Sequence, residues 1–132
     1  MTARRRALSP AGIAPPFARY SHGIAVEGAG RIVAVSGQLG LARDGTVPPD
    51  AEAQARICLA NGLAILAEAG LGPEHVLRVT GFVTDRAHMA GYMRARDAAF
   101  AGVDPPPAST LIIVSGFTRP EFLVEVELLA AG

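Results

Sequence analysis

Two acids stand where acids are unusual. Glu125 and Glu127 interrupt an otherwise apolar run from Phe122 to Leu129. Strand side chains alternate faces with a period of two. A strand here puts Glu125 and Glu127 on one face and Val124, Val126 and Leu128 on the other. A carboxylate so placed can hold a water and take or give a proton. It can also be a structural acid, tied to backbone or to an arginine. Acids rarely enter apolar sequence without a partner or a purpose, so Glu125 is the candidate catalytic residue. Glu127 is read as the structural acid, at a polar contact or in solvent.

Other residues offer less. Ser36-Gly37-Gln38 closes an apolar run, and a glycine there lets a ligand approach the main chain. Tyr20 has an aromatic body for a pocket wall and a hydroxyl for a ligand, or it is a core tyrosine with its hydroxyl satisfied. Ser109 has no general base near it in sequence and no nucleophile elbow, so a serine-hydrolase reading is weak. His22, His75 and His88 lack the paired spacing of a metal site. Of these only His22, beside Tyr20, is a candidate for pocket contact. Cys58, the one cysteine, lies on the apolar stripe of a helix and reads as an inert core thiol. No metal and no cofactor is expected.

The elements that must position these residues follow in order. Residues 1–18, rich in Pro, Ala and Arg, read as an irregular arm. Tyr20 to Val26 reads as a strand and Arg31 to Ser36 as a second, joined through Glu27-Gly28-Ala29-Gly30 as a hairpin. Asp50 is a good N-cap for a helix running to about Ala69 and stopped at Gly70. Its apolar face is Ala55, Cys58, Leu59, Gly62, Leu63, Leu66 and Ala69, and Gly62 in that stripe suggests close packing on a sheet. Val76 to Thr84 reads as a third strand, and Asp85 caps a second helix over about Ala87 to Ala101. Met89, Met93, Arg96 and Phe100 share a face of it, with Arg96 read as a snorkelling side chain at the stripe's edge. Two further strands flank the turn-rich link Ser115 to Pro120.

The order ββαβαββ implies right-handed βαβ crossovers and a mixed sheet with two helices on one face, an α+β sandwich. The uncovered face holds apolar residues and is expected to pack on other subunits.

Composition bounds the rest. A length of 132 residues, half of them hydrophobic, fits one domain over 1–132. Twelve basic and twelve acidic residues cancel, so nucleic-acid binding gets little support; Arg4-Arg5-Arg6 is read as a solvated tail. A single cysteine excludes an internal disulfide and suggests a reduced, cytoplasmic setting. Pro10, Pro15 and Pro16 break any signal-like apolar region, and no run reaches the ~18 apolar residues of a membrane helix, so no membrane partner is expected.

Taken together, Tyr20-Ser21, Val35-Ser36-Gly37-Gln38, Gln54 with Asn61, Ala69-Gly70-Leu71, Val79 to Asp85, Pro107-Ala108-Ser109 and Val124 to Glu127 resemble the RidA family, also called YjgF/YER057c/UK114. The resemblance rests on their order and spacing from Tyr20 to Ala130. It implies a chorismate-mutase-like sandwich, a homotrimer with sites in the clefts between subunits, and hydrolysis of reactive imines and enamines such as 2-iminopropanoate to 2-oxo acids and ammonia.

Carried over by position, the resemblance makes Glu125 the residue that positions water, and places Tyr20, Ser36, Gly37 and the main chain at Leu111 around the substrate. The arginine that clamps the substrate carboxylate in active members falls at Ser109. One hydroxyl cannot replace a planar fork that makes two charged hydrogen bonds. An asparagine of active members falls at Met93, and the usual proline before the tyrosine is Arg19. Either the substrate lacks that carboxylate or another cation serves it: Arg19 and Arg119 by nearness in sequence, Arg96 as a third candidate.

The expected function is thus a trimeric imine or enamine hydrolase of altered range. A non-catalytic ligand- or partner-binding trimer is the alternative. RNA cleavage or translation inhibition, assigned to some relatives, is disfavoured by the neutral charge.

Overall fold

In a computed structural model that describes residues 3–132, six strands and two helices follow one another along the chain. They are β1 (Arg4–Leu8), β2 (Gly23–Glu27), β3 (Ile32–Leu39), α1 (Ala51–Glu68), β4 (Val76–Val83), α2 (Met89–Ala99), β5 (Ala108–Ile113) and β6 (Val124–Ala131). The main sheet has the order β3-β6-β4-β5. β6 runs antiparallel to both of its neighbours, and β4 and β5 are parallel. β3 and β4, joined through α1, are therefore parallel as the crossover requires, but β6 is inserted between them.

Two local expectations are corrected. Residues 4–8 form a strand, although the first eighteen residues read as an irregular arm. β2 pairs with β1, Leu8 opposite Gly23 and Arg4 opposite Glu27, and makes no hairpin with β3. The apolar-polar pattern of Arg4 to Leu8 is too weak to mark a strand. Its pairing depends on a partner fifteen or more residues away, so local signals could not show it. This ribbon joins the main sheet beyond β5 through a parallel bridge between Ser21 and Ala108.

α1 begins and ends where the sequence places it. The Asp50 carboxylate accepts from Ala53 N at 3.1 Å. At the other end Gly70, at φ 75°, closes a Schellman motif: Gly70 N donates to Ala67 O and Leu71 N to Leu66 O. Ala55, Cys58, Leu59, Gly62 and Leu66 are buried against the sheet. A side chain at Gly62 would meet Leu128 Cδ1 at 2.7 Å, so the glycine is what lets helix and sheet approach.

α2 starts later than expected. Asp85 caps a 3₁₀ turn, Arg86–His88, by accepting from Ala87 N at 2.8 Å, and the α-helix follows from Met89. Its most buried stripe is Gly91, Tyr92, Ala95 and Arg96, rotated from the face read in the sequence. Tyr92 lies directly over Gly81 of β4, where an added Cβ would fall 2.5 Å from the phenolic oxygen. Both helices cover the sheet face that carries Val35, Val79, Val83, Val126 and Leu128. The other face is bare of helix and exposes Ile32 (78 %) and Ile112 (44 %).

Candidate functional site

Glu125 stands on the bare face. It is paired across the ladder with Leu39 of β3 and Phe82 of β4, while Val124 and Val126 on either side are buried in the core. The register of β3 against β6 shifts between Val35 and Gln38, so Ser36 and Gly37 form a bulge opposite Glu127. The bulge re-aims the strand and brings the Gly37 Cα against the Glu125 side chain. A Cβ on Gly37 would lie 2.8 Å from the Glu125 carboxyl carbon and 3.0 Å from Cγ, and closer still to Oε2. Gly37 is therefore required by the position of the carboxyl rather than by its own backbone angles. A wide, open hollow of about 430 Å³ lies beside it, bounded by Leu39, Gly116, Phe117, Thr118 and Glu125. Gln38 turns its amide back onto Ser36 O at 3.1 Å. Glu127, on the same face, lines a separate shallow hollow with Arg78 and Thr80.

Sequence reading named the residue that holds this region in place only as part of the family pattern and gave it no structural role. Gln54 on α1 is fully buried. Its amide nitrogen donates to Pro48 O at 2.8 Å and Glu121 O at 2.9 Å, and its carbonyl accepts from Leu123 N at 2.8 Å. Two of these bonds tie the link before β6 to α1 and fix where β6 begins, and the third holds the loop that leads into α1. The polar residue within the helix's buried face was the available signal.

Tyr20, Ser109 and Leu111 come together elsewhere. Ser109 and Leu111 pair with Val79 and Gly81 and so share the helix-covered face, opposite to Glu125. Beyond the β5 edge they meet Phe17, Tyr20, Met93 and Arg96 around a cavity of about 210 Å³. Tyr20 is brought there by anchored neighbours. Ser21 donates from N to Pro107 O at 3.2 Å and from Oγ to Pro106 O at 2.5 Å. Phe17 and His22 stand edge-on to the Tyr20 ring, at 5.7 and 5.8 Å between centroids. His22 touches the pocket only through that ring, and its Nε2 is bonded to Ala14 O at 2.7 Å.

The candidate cations are re-ordered. Arg19 is spent on the end of α2: Nη1 donates to Phe100 O at 2.9 Å and Nη2 to Val103 O at 2.6 Å. It holds the segment that carries Tyr20 but does not line the cavity. Arg119 pairs with Glu121 at 2.9 Å and lies 4.4 Å over the Phe122 ring, exposed and away from Ser109. Arg96, read as a snorkelling side chain, is instead 5 % exposed. Its Nη1 donates to Ser109 Oγ at 3.2 Å, and Nε and Nη2 donate to Asp97 Oδ1 at 3.2 and 3.1 Å. A stripe of spacing three and four shows which residues share a face, but not that a sheet edge closes over one of them.

Two buried groups are electrostatically quiet. Burial pushes the Cys58 thiol up to about 12 and leaves it a core thiol, its Sγ 3.7 Å from Val124 O. Burial likewise pushes the Tyr92 hydroxyl up to about 12 against the opposing pull of Arg96 and Ser109. No hydrogen-bond partner of good geometry faces its Oη among the described residues.

Comparison with known proteins settles the lineage. The family model described as endoribonuclease L-PSP matches residues 12–132. This chain belongs to that family, the RidA/YjgF proteins. The RutC family protein YjgH of Escherichia coli (strain K12) is 32 % identical over 123 residues, 92 % of each chain. Protein DfrA of Myxococcus xanthus is 35 % identical over 115 residues, 86 % of this chain and 85 % of the other. Among solved structures, the Rid-family protein YyfB of Yersinia pestis superposes with a TM-score of 0.85 at 30 % identity, covering 97 % and 98 % of the two chains. E. coli TdcF with bound serine gives 0.72 at 27 %, covering 94 % and 93 %. The chorismate-mutase-like α+β architecture of the family is that of this chain. No helix among the described residues is long and apolar enough to cross a membrane.

Proposed function

We propose that this protein is a hydrolase of small reactive imines or enamines, with Glu125 as the residue that handles water and protons. The observation that carries the reading is the seat of Glu125: an acid on a strand, half-buried, its carboxyl filling the space that a side chain at Gly37 of the β3 bulge would take. Water adds to the carbon of the C=N bond, and Glu125 takes a proton from that water. Return of a proton to nitrogen gives an amine leaving group. The resulting carbinolamine collapses to the carbonyl and expels ammonia. Water is the only co-reactant.

Glu125 and the cavity at Ser109 lie on opposite faces of one sheet. Within one chain they cannot flank one substrate. We infer a homotrimer in which the bare face of one copy meets the β5 edge of the next, so that the two halves form one cleft. Exposed Ile32 and Ile112 on that face are the kind of surface a second copy covers. The serine bound by TdcF supports a small metabolite of amino-acid size as ligand.

A non-catalytic binder is the second reading, favoured by Ser109 where active members have an arginine. RNA cleavage, which the family description names, is opposed by the zero net charge. The test follows imine decay when 2-iminopropanoate and bulkier relatives are generated in situ, with sedimentation analysis of the same sample. Acceleration by the native protein, abolished in a still trimeric Glu125→Gln, is the expected result. No acceleration of any imine establishes the binder, and a monomer removes the composite cleft.

A further inference from the structure

We propose that Arg96, acting with Ser109, is the anion-holding group of the cavity, and that its ligand is a monocarboxylate with an apolar body. The assignment names the substrate class for the hydrolase reading above and in that sense rests on it, but its own support is geometric.

A guanidinium has five N–H donors. Three are used here, two of them on a single oxygen of Asp97 and one on Ser109 Oγ. The remaining two Nη hydrogens meet no acceptor among the described residues, although the side chain is only 6 % exposed. Asp97 is the next residue along the helix and its side chain is 45 % exposed, so its charge is largely screened by water. A buried cation so weakly compensated stabilises an anion brought within reach. Ser109 strengthens this. Its oxygen accepts from Arg96, and its rotatable hydrogen can turn from the neighbouring Tyr92 hydroxyl to the same ligand.

The size of residue 109 makes this possible. With a serine there, the guanidinium from α2 reaches the β5 edge and takes the space above it. The cation therefore enters from the helix side, between Met89 and Met93 on α2 and Leu111 on β5. A carboxylate bound to it has its body among two thioethers, Leu111, Phe17 and the Tyr20 ring. That lining fits a branched or aromatic chain better than a methyl group, and methionine adapts to either.

The test measures binding alone, by titration calorimetry on the full-length protein. The probes are 4-methyl-2-oxopentanoate and its uncharged amide. The native protein should bind the acid more tightly than the amide. Arg96→Met should weaken the acid by about tenfold to a hundredfold, the loss of a charged hydrogen-bonded pair, and leave the amide unchanged. Asp97→Asn, an exposed change that keeps the fold, should tighten the acid by removing a negative charge that competes for the guanidinium. Equal affinity of the native protein for acid and amide overturns the assignment. So does an acid affinity unmoved by Arg96→Met or untightened by Asp97→Asn. Imine turnover by the native protein separates the two proposals: acid-selective binding that Arg96→Met weakens, with no turnover of any imine, sinks only the hydrolase, and turnover without acid-selective binding sinks only Arg96.

Discussion

Gly37→Ala is the substitution that asks most directly whether the position of Glu125 matters. The new methyl would sit 2.8 Å from the carboxyl carbon and 3.0 Å from Cγ. Carbon atoms rest at about 3.5–4.0 Å, so the carboxyl must retreat by roughly 0.7–1.2 Å. It is the free end of a flexible side chain and can swing away. An off-rotamer torsion costs about 0.5–1.5 kcal/mol. Alanine in place of glycine within a strand returns about 0.5–1 kcal/mol. Gly37 does not have a positive φ, so the backbone adds no strain. Stability should therefore change by less than about 1 kcal/mol, a shift of a few degrees in Tm at most. A displacement of about 1 Å at a reacting group can remove about a hundredfold of rate. The assay is imine decay beside a thermal melt, with a crystal structure of the variant to locate the carboxyl. The double variant Gly37→Ala/Glu125→Gln should be no slower than Glu125→Gln alone, because both act through one group. A displaced carboxyl with undiminished turnover would refute the role given to Glu125.

Two further outcomes follow from buried polar groups. Gln54→Leu leaves Pro48 O, Glu121 O and Leu123 N unpaired in the interior; at about 1–3 kcal/mol for each orphaned group it should remove at least about 3 kcal/mol, read as a lower midpoint in urea. Tyr92→Phe deletes a hydroxyl that makes no hydrogen bond of good geometry among the described residues and should leave stability at neutral pH unchanged or slightly higher. The same change alters the alkaline limb. Tyr92 holds its proton to about 12 in the folded chain, against about 10 unfolded, so the unfolded state releases its proton first. The native protein accordingly loses stability as pH rises from about 10 to about 12, by roughly 2–3 kcal/mol from this group, and none below that window. Denaturant melts at pH 9 and 11.5 should show a smaller drop in Tyr92→Phe than in the native chain; equal drops would clear Tyr92 of the effect.

Much of this protein is written in local sequence. Asp50 and Gly70 bound α1 because a carboxylate cap and a left-handed glycine act within one turn of the helix. The alternation around Glu125 needs only the pleat of a strand, and Gly62 declares a close approach by having no side chain. The partner of each strand was not legible in the same way. β1 finds β2 across a gap of irregular chain, and β6 inserts between β3 and β4, because pairing is chosen by burial over the whole sheet. The cations show the same division. Arg19, Arg96 and Arg119 are alike as letters, and nearness in sequence favoured the first and last. The fold gives Arg19 to two carbonyls at the end of α2 and Arg119 to Glu121 and Phe122. It leaves Arg96 buried against Ser109, since only packing decides which guanidinium finds its acceptors at home and which is left with donors to spare.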